Sequence, residues 1–215
     1  MPLKVNIAGY NIDKSLIDSL NDPSATPEVI SAAYARISRS EKSITELREE
    51  ALSEIPKARK SNESIIFEMG HSSIAEHAVF NIDIIGISRL LAETVESIRL
   101  ASYTEKSQRY VTFEDDFVIP AELANQTQSL QNRFVSMHKK LFEEYKLCYD
   151  LLLKYYAKKR LKLTPRELEG KAKEDARYIL PLATKTQLGM TINARSLENL
   201  LRKLKRTPLA EALEL

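Results

Sequence analysis

A polar ten-residue stretch, ASYTEKSQRY at residues 101–110, carries the side chains in this chain that are best suited to ligand chemistry. If the stretch is extended, successive side chains alternate between faces, so Glu105, Ser107 and Arg109 are predicted to share one face. That face would offer an acceptor, a hydroxyl and a guanidinium that binds phosphate through two hydrogen bonds. The trio fits a ligand with hydroxyl groups and an anionic group, whereas the alternative for so polar a run is a solvated loop.

Strands and helices are predicted on both sides of this stretch, and they must position it. Residues 3–11 and 76–88 alternate between apolar and polar side chains, which is typical of strands, and the first run breaks at Gly9. Residues 89–100 return to helical spacing and lead directly into the stretch. Helix-start signals predict further helices after Thr26-Pro27, Ser43 and Thr164-Pro165, and another helix is predicted over 196–206. TKTQLGMTI at 184–192 alternates like a strand.

A long amphipathic helix is predicted beyond the polar stretch, because apolar side chains recur there every three or four residues. The stripe consists of Leu130, Phe134, Met137, Leu141, Tyr145, Cys148, Leu152 and Tyr155. It should pack on the core or on a partner. The basic end, KYYAKKRLK, is interpreted as a solvated helix end, since cations are favourable near a helix C-terminus. The alternative is a nucleic-acid-binding helical module.

Composition narrows the class of protein. With 215 residues, 43% hydrophobic and 29% charged, the chain can bury a real core. A net charge of +2 gives no reason to expect a nucleic-acid or membrane partner, and the single cysteine, Cys148, cannot form an internal disulfide. The start, MPLKVNIAGY, lacks signal-peptide features, and no apolar run approaches the roughly 20 residues that span a bilayer. We therefore expect a cytoplasmic location.

Several common site chemistries are not favoured by the sequence. His71 and His77 are not in a zinc-binding register, and no cysteine pair accompanies them, so no metal site is predicted. The sequence also has no Gly-x-Ser-x-Gly elbow, phosphate-binding glycine loop or Rossmann fingerprint. A glycine-rich phosphate cradle is therefore not expected.

Two segments resemble the flavin-dependent thymidylate synthases, and they occur in the same order as in that family. They are GHSSIAEHAVFNIDIIGISRLLAETVESIRLASYTEKSQRY and, far downstream, ARYILPLATKTQLGMTINARSLENLL. The family signature reads Arg-His-Arg, two residues, Ser, one residue, Asn-Glu, one residue, Ser, one residue, Arg-Tyr. The chain keeps six of these residues at the same spacing: Arg99, Ser102, Glu105, Ser107, Arg109 and Tyr110.

The resemblance implies both a fold and a reaction. The fold would be α/β (α+β), a central twisted, mostly antiparallel sheet flanked by long helices, in a single domain over residues 1–215. Members of the family form homotetramers with sites between subunits. They methylate dUMP to dTMP with methylenetetrahydrofolate, FAD and NADPH. No protein nucleophile is required in that reaction, so no catalytic residue is assigned.

Binding residues are also implied by the resemblance, one set for each ligand. The dUMP contacts would be Glu105, Ser107, Arg109 and Arg177. The flavin contacts would be His71, Arg99, Asn193, Arg195 and Asn199.

The chain departs from the family pattern mainly on the flavin side. Ser97 and Ile98 stand where the signature has its first arginine and its histidine, and Thr104 stands where it has asparagine. Leu204 occupies the place of an arginine that activates the nucleotide in the family. Because charged hydrogen bonds contribute on the order of 1.5 to 3 kcal/mol each, these substitutions predict weak FAD binding and impaired activity. The alternative is a non-catalytic homologue that acts as a structural or oligomeric partner.

Overall fold

A four-stranded antiparallel sheet stands at the centre of the fold. The computed structural model describes residues 2–12, 26–36, 40, 42–64, 72–159 and 163–215. Within them the strands are β1 (Lys4–Tyr10), β2 (Val79–Ser88), β3 (Ala101–Glu105) and β4 (Lys185–Asn193), in the order β1-β2-β4-β3. Neighbouring strands all pair antiparallel. The predicted fold class, a mostly antiparallel sheet with flanking helices, is confirmed.

Alternation of side chains gives the sheet one buried face and one open face. Ile82 and Ile84 of β2 are buried, and between them Asp83 is exposed. On β4 every second residue from Thr186 to Ile192 is buried. The predicted break at Gly9 coincides with a register shift in the pairing of β1 with β2.

Helices cover the buried face of the sheet and extend beyond it. They are α1 (Glu28–Arg36), α2 (Ile44–Ser53), α3 (Ile55–Glu63), α4 (Arg89–Glu96), α5 (Gln128–Lys158), α6 (Pro165–Ala176), α7 (Ala194–Leu204) and α8 (Ala210–Glu214). The capping boxes predicted at Ser43 and Thr164 are present. The helix predicted over 89–100 ends at Glu96, with Ser97 as its C-cap, so the prediction was four residues too long.

Within the described residues, the buried apolar side chains form three clusters. The largest lies between the sheet, α4, α7 and α8, the second joins α1, α2 and α3, and the third packs α5 on Phe113 and Ala176. The long-helix prediction is confirmed, but its stripe packs only in part, because Leu130, Met137 and Tyr155 are 42%, 63% and 49% exposed. No helix in the described ranges is both long enough and apolar enough to cross a bilayer.

Candidate functional site

Glu105 closes β3 on the buried side of the sheet, opposite Leu188. One carboxylate oxygen accepts a hydrogen bond from the Thr186 hydroxyl at 2.6 Å, and the other accepts one from the Arg89 guanidinium. Only 18% of the Glu105 side chain and 22% of the Arg89 side chain are exposed. Glu105 is therefore fixed in one position by two other elements, with lone pairs left for a ligand donor.

The surroundings of this ion pair are acidic. Glu93 lies 3.9 Å from the Arg89 guanidinium. Burial raises the pKa of Glu96, and the charges of Glu105 and Glu93 raise it further, against the opposing effect of Arg89. Glu93 and Glu105 thus share one arginine at the start of α4, and Glu96 adds a further carboxylate at the end of that helix.

The chain turns directly after Glu105, so the predicted common face for Glu105, Ser107 and Arg109 is wrong. The last contact with the sheet is the Lys106 amide, which donates to the Gln187 carbonyl at 3.0 Å. The Val111 amide then donates to the Ser107 carbonyl at 3.1 Å, and the Arg109 amide donates to the Ser107 hydroxyl at 3.2 Å. These local hydrogen bonds replace the extended conformation that the alternation required.

Arg109 reaches α6 instead of the sheet. Its guanidinium lies 3.4 Å from the Glu174 carboxylate, and both side chains remain nearly half exposed. Arg177, the C-cap of α6, follows Glu174 by about one helical turn and lies over the Tyr178 ring, 5.7 Å from its centroid. The structure therefore brings Arg109 to the end of α6 that carries Arg177, while Glu105 stays at the edge of the core.

The residues predicted to contact flavin lie at the other end of β3. Ala101 pairs with Ile192, so Arg99 lies near the end of β4 where Asn193 caps α7 by accepting from the Ser196 amide at 2.8 Å. Arg195 forms an ion pair with Glu76. Asn199 is exposed one turn further along α7, and His71 lies outside the described residues.

The two predicted sets are separated along β3 within one subunit. Ala101 and Glu105 are four residues apart on the strand, which corresponds to about 13 Å at about 3.3 Å per residue. The sequence order of the motif did not reveal this separation.

The end of α4 carries the substituted part of the signature. The Ser97 hydroxyl donates to the Thr94 carbonyl at 2.6 Å and accepts from the Lys203 ammonium group. Ile98 packs against the main core, and Leu204 is buried in it with 3% exposure. Leu204 is therefore not available to a ligand, whereas Ile98 is only partly buried. Lys203 of α7 is the cation that contacts Ser97.

Comparison with known proteins accords with this geometry. The sequence model of the thymidylate synthase complementing protein family matches residues 16–212. The chain is 32% identical to the flavin-dependent thymidylate synthase of Clostridium tetani over 181 residues, which are 82% of this chain and 69% of that protein. It is 33% identical to the enzyme of the same name from Geobacter sulfurreducens over 174 residues, covering 80% of this chain and 66% of that protein. With the Pyrococcus abyssi relative, the match spans only 49% of that protein.

Solved structures show the same fold at lower identity. Thymidylate synthase X of Helicobacter pylori, solved with FAD and dUMP, superposes with a TM-score of 0.57 at 21% identity, covering 98% of this chain and 88% of that one. The UMP/dUMP methylase PolB of Streptomyces cacaoi, bound with 5-Br dUMP, gives 0.60 at 18% identity, covering 93% and 76%. The family match and the shared fold together place this chain in the thymidylate synthase complementing protein family, which is that of the flavin-dependent thymidylate synthases.

Proposed function

We propose that this chain binds dUMP or a related nucleotide and retains only an impaired form of the family reaction, the reductive methylation of dUMP to dTMP with methylenetetrahydrofolate, FAD and NADPH. The observation that carries the proposal is the contrast between the two ends of β3. At one end the signature residues are retained as Glu105, Ser107 and Arg109. At the other end Ser97 and Ile98 replace a cation and an imidazole, and Ile98 is turned into the core.

The nucleotide end has the donors and acceptors that a pyrimidine nucleotide requires. The Arg109 side chain is 48% exposed, and its guanidinium can bind a phosphate through two hydrogen bonds. The Ser107 hydroxyl and the remaining lone pairs of Glu105 can bind hydroxyl or amide groups of the same ligand. Arg177 adds a second cation at the adjacent end of α6. These residues would hold and orient the nucleotide.

The described residues at the flavin end fit FAD poorly. The charge of Arg195 is paired with Glu76, and the side-chain oxygen of Asn193 is used in the cap of α7, which leaves its NH2 group as a donor. Arg99 and Lys203 are cations near this end that could meet the pyrophosphate, whereas the signature supplies two arginines and a histidine. FAD supplies the hydride that completes the methyl group in the family reaction. Weak FAD binding would therefore limit turnover, and no step is assigned to a residue of this chain.

We infer a homo-oligomer, a tetramer by resemblance, in which the nucleotide end of one subunit meets the flavin end of another. This arrangement rests on the family resemblance, and the separation of the two sets along β3 is compatible with it. A non-catalytic role as a structural or oligomeric partner is the second candidate. It is favoured by exposed apolar side chains on α5, such as Met137, Leu147 and Leu151, at 63%, 54% and 57% exposure. In either case we propose that residues 1–215 form a single domain.

The test combines dUMP binding with turnover. Calorimetry should detect dUMP binding to the parent protein. Arg109→Ala should abolish this binding, because the phosphate loses the guanidinium that would form two hydrogen bonds with it. Arg133→Ala, which removes an exposed arginine of α5, is the matched control and should leave binding unchanged. Formation of labelled dTMP with methylenetetrahydrofolate, NADPH and added FAD should be slow.

Unchanged dUMP binding in Arg109→Ala would contradict the proposed nucleotide site. Turnover as fast as that of active relatives would contradict the impairment. Binding of dUMP without any dTMP would favour the non-catalytic role.

A further inference from the structure

A groove of about 490 Å³ lies between the turn after β3 and α6. We call it the α6 groove; its walls include Arg109, Tyr110, Leu163, Arg166, Lys171 and Glu174. The turn is held against the helix by its backbone, because the Lys173 ammonium group donates to the Tyr110 carbonyl at 3.4 Å. The volume is in the range of small-ligand sites, and the walls come from two elements with fixed relative positions.

In the α6 groove the carboxylates have bound partners among the described residues, whereas two of the cations do not. Its carboxylates are already bound: Glu167 accepts from the Thr164 amide and hydroxyl at 2.7 and 2.8 Å, and Glu174 accepts from Arg109. Arg166 and Lys171, by contrast, form no ion pair with any residue in the described ranges, and Lys171 only lies 5.1 Å from the Tyr156 ring centroid. Two cations therefore face the groove without a bound counter-charge.

Apolar surface completes the walls. The Tyr110 side chain is 67% exposed, and Leu163 is 37% exposed. The Arg109 guanidinium lies 5.5 Å from the centroid of the Tyr110 ring. An exposed aromatic ring beside three cations suits a ligand that combines a planar ring with an anionic group, since the ring stacks while the anion pairs.

We propose that the α6 groove receives the phosphate end of the nucleotide that Arg109 binds, with Arg166 and Lys171 as additional phosphate-binding residues. The Glu174 carboxylate holds Arg109 in the free protein, and the phosphate replaces it on arrival. This inference rests on the proposed function, because it takes Arg109 as the shared phosphate contact. It adds two binding residues that lie outside the family signature.

The charges can be tested with variants of opposite expected effect. Arg166→Gln combined with Lys171→Gln should weaken dUMP binding tenfold or more in low-salt calorimetry, because two cations are lost from the phosphate. Glu174→Gln should tighten dUMP binding by about two- to fivefold, because Arg109 is then freed from a competing carboxylate. Deoxyuridine, which lacks the phosphate, should respond to neither change.

The matched control is Lys139→Gln combined with Lys154→Gln, which removes two exposed cations of α5 and should leave dUMP binding within twofold of the parent. If Arg109→Ala abolishes dUMP binding while the Arg166 and Lys171 double variant binds normally, the α6 groove is not the phosphate site and the proposed function still stands.

If the parent does not bind dUMP, the proposed function fails, and inorganic pyrophosphate then tests the groove alone. Pyrophosphate binding that Arg166→Gln with Lys171→Gln removes would support an anion site in the α6 groove. Absence of pyrophosphate binding, or binding that the double variant retains, would overturn it.

Discussion

Removal of Arg89 is expected to destabilise the protein far more than removal of an exposed arginine. Arg89→Met leaves the Glu105 carboxylate largely buried, with Glu93 and Glu96 nearby and the Thr186 hydroxyl as its one remaining donor among the described residues. Loss of one partner from a buried ion pair costs about 3 to 5 kcal/mol, and the residual exposure of about a fifth reduces this to about 2 to 3 kcal/mol. The unfolding temperature should then fall by about 4–12 °C.

Urea unfolding at neutral pH measures this difference. Glu105→Gln should lose less, about 1 kcal/mol, because the amide oxygen still accepts from Thr186 and Arg89 keeps Glu93 nearby. The matched control is Arg202→Met, whose ion pair with Glu198 is exposed on α7 and should contribute at most about 0.5 kcal/mol. Equal losses in Arg89→Met and Arg202→Met would refute the idea that Glu105 is a buried charge that depends on Arg89.

Two further variants test the acidic end of α4 and the core position of Leu204. Because burial raises the pKa of Glu96, the folded state binds that proton more tightly than the unfolded chain does, and stability falls as pH rises through this pKa. Glu96→Gln should therefore raise the unfolding temperature at pH 7 by no more than about 4 °C. The difference between variant and parent should vanish below about pH 4, where the glutamate is protonated in both states, and thermal scans at several pH values measure it. Leu204→Arg should lose at least about 4 kcal/mol in urea unfolding by burying an unpaired guanidinium, whereas Leu201→Arg, at a position 47% exposed, should change stability by at most about 0.5 kcal/mol.

The sheet and the helix starts were predictable because their signals are local. β2 and β4 each have one buried face, so apolar side chains alternate from Phe80 to Ile84 and from Leu188 to Ile192, and this period is visible in the sequence. The boxes at Ser43 and Thr164 involve residues only three positions apart. Resemblance to the family then supplied the fold class that these elements assemble into.

The arrangement of the site was not predictable, because it depends on contacts between distant elements. Glu105 is held by Arg89 and Thr186, which are 16 and 81 residues away in sequence. Arg109 is drawn to Glu174 of α6, 65 residues away, after a turn that contains neither glycine nor proline. The prediction therefore extended the alternation of side-chain faces past the end of β3, because no local sequence signal marked the start of the turn.

Visible absorbance of the purified protein, dialysed after incubation with excess FAD, tests the impaired flavin end most directly. Few hydrogen-bonding or charged groups are left for the pyrophosphate and the flavin ring, because Ser97 and Ile98 replace signature residues and Arg195 is paired. We therefore expect far less than one FAD per subunit, in a protein that still binds dUMP. A yellow protein with one FAD per subunit would contradict it and would show that other residues have taken over the missing contacts.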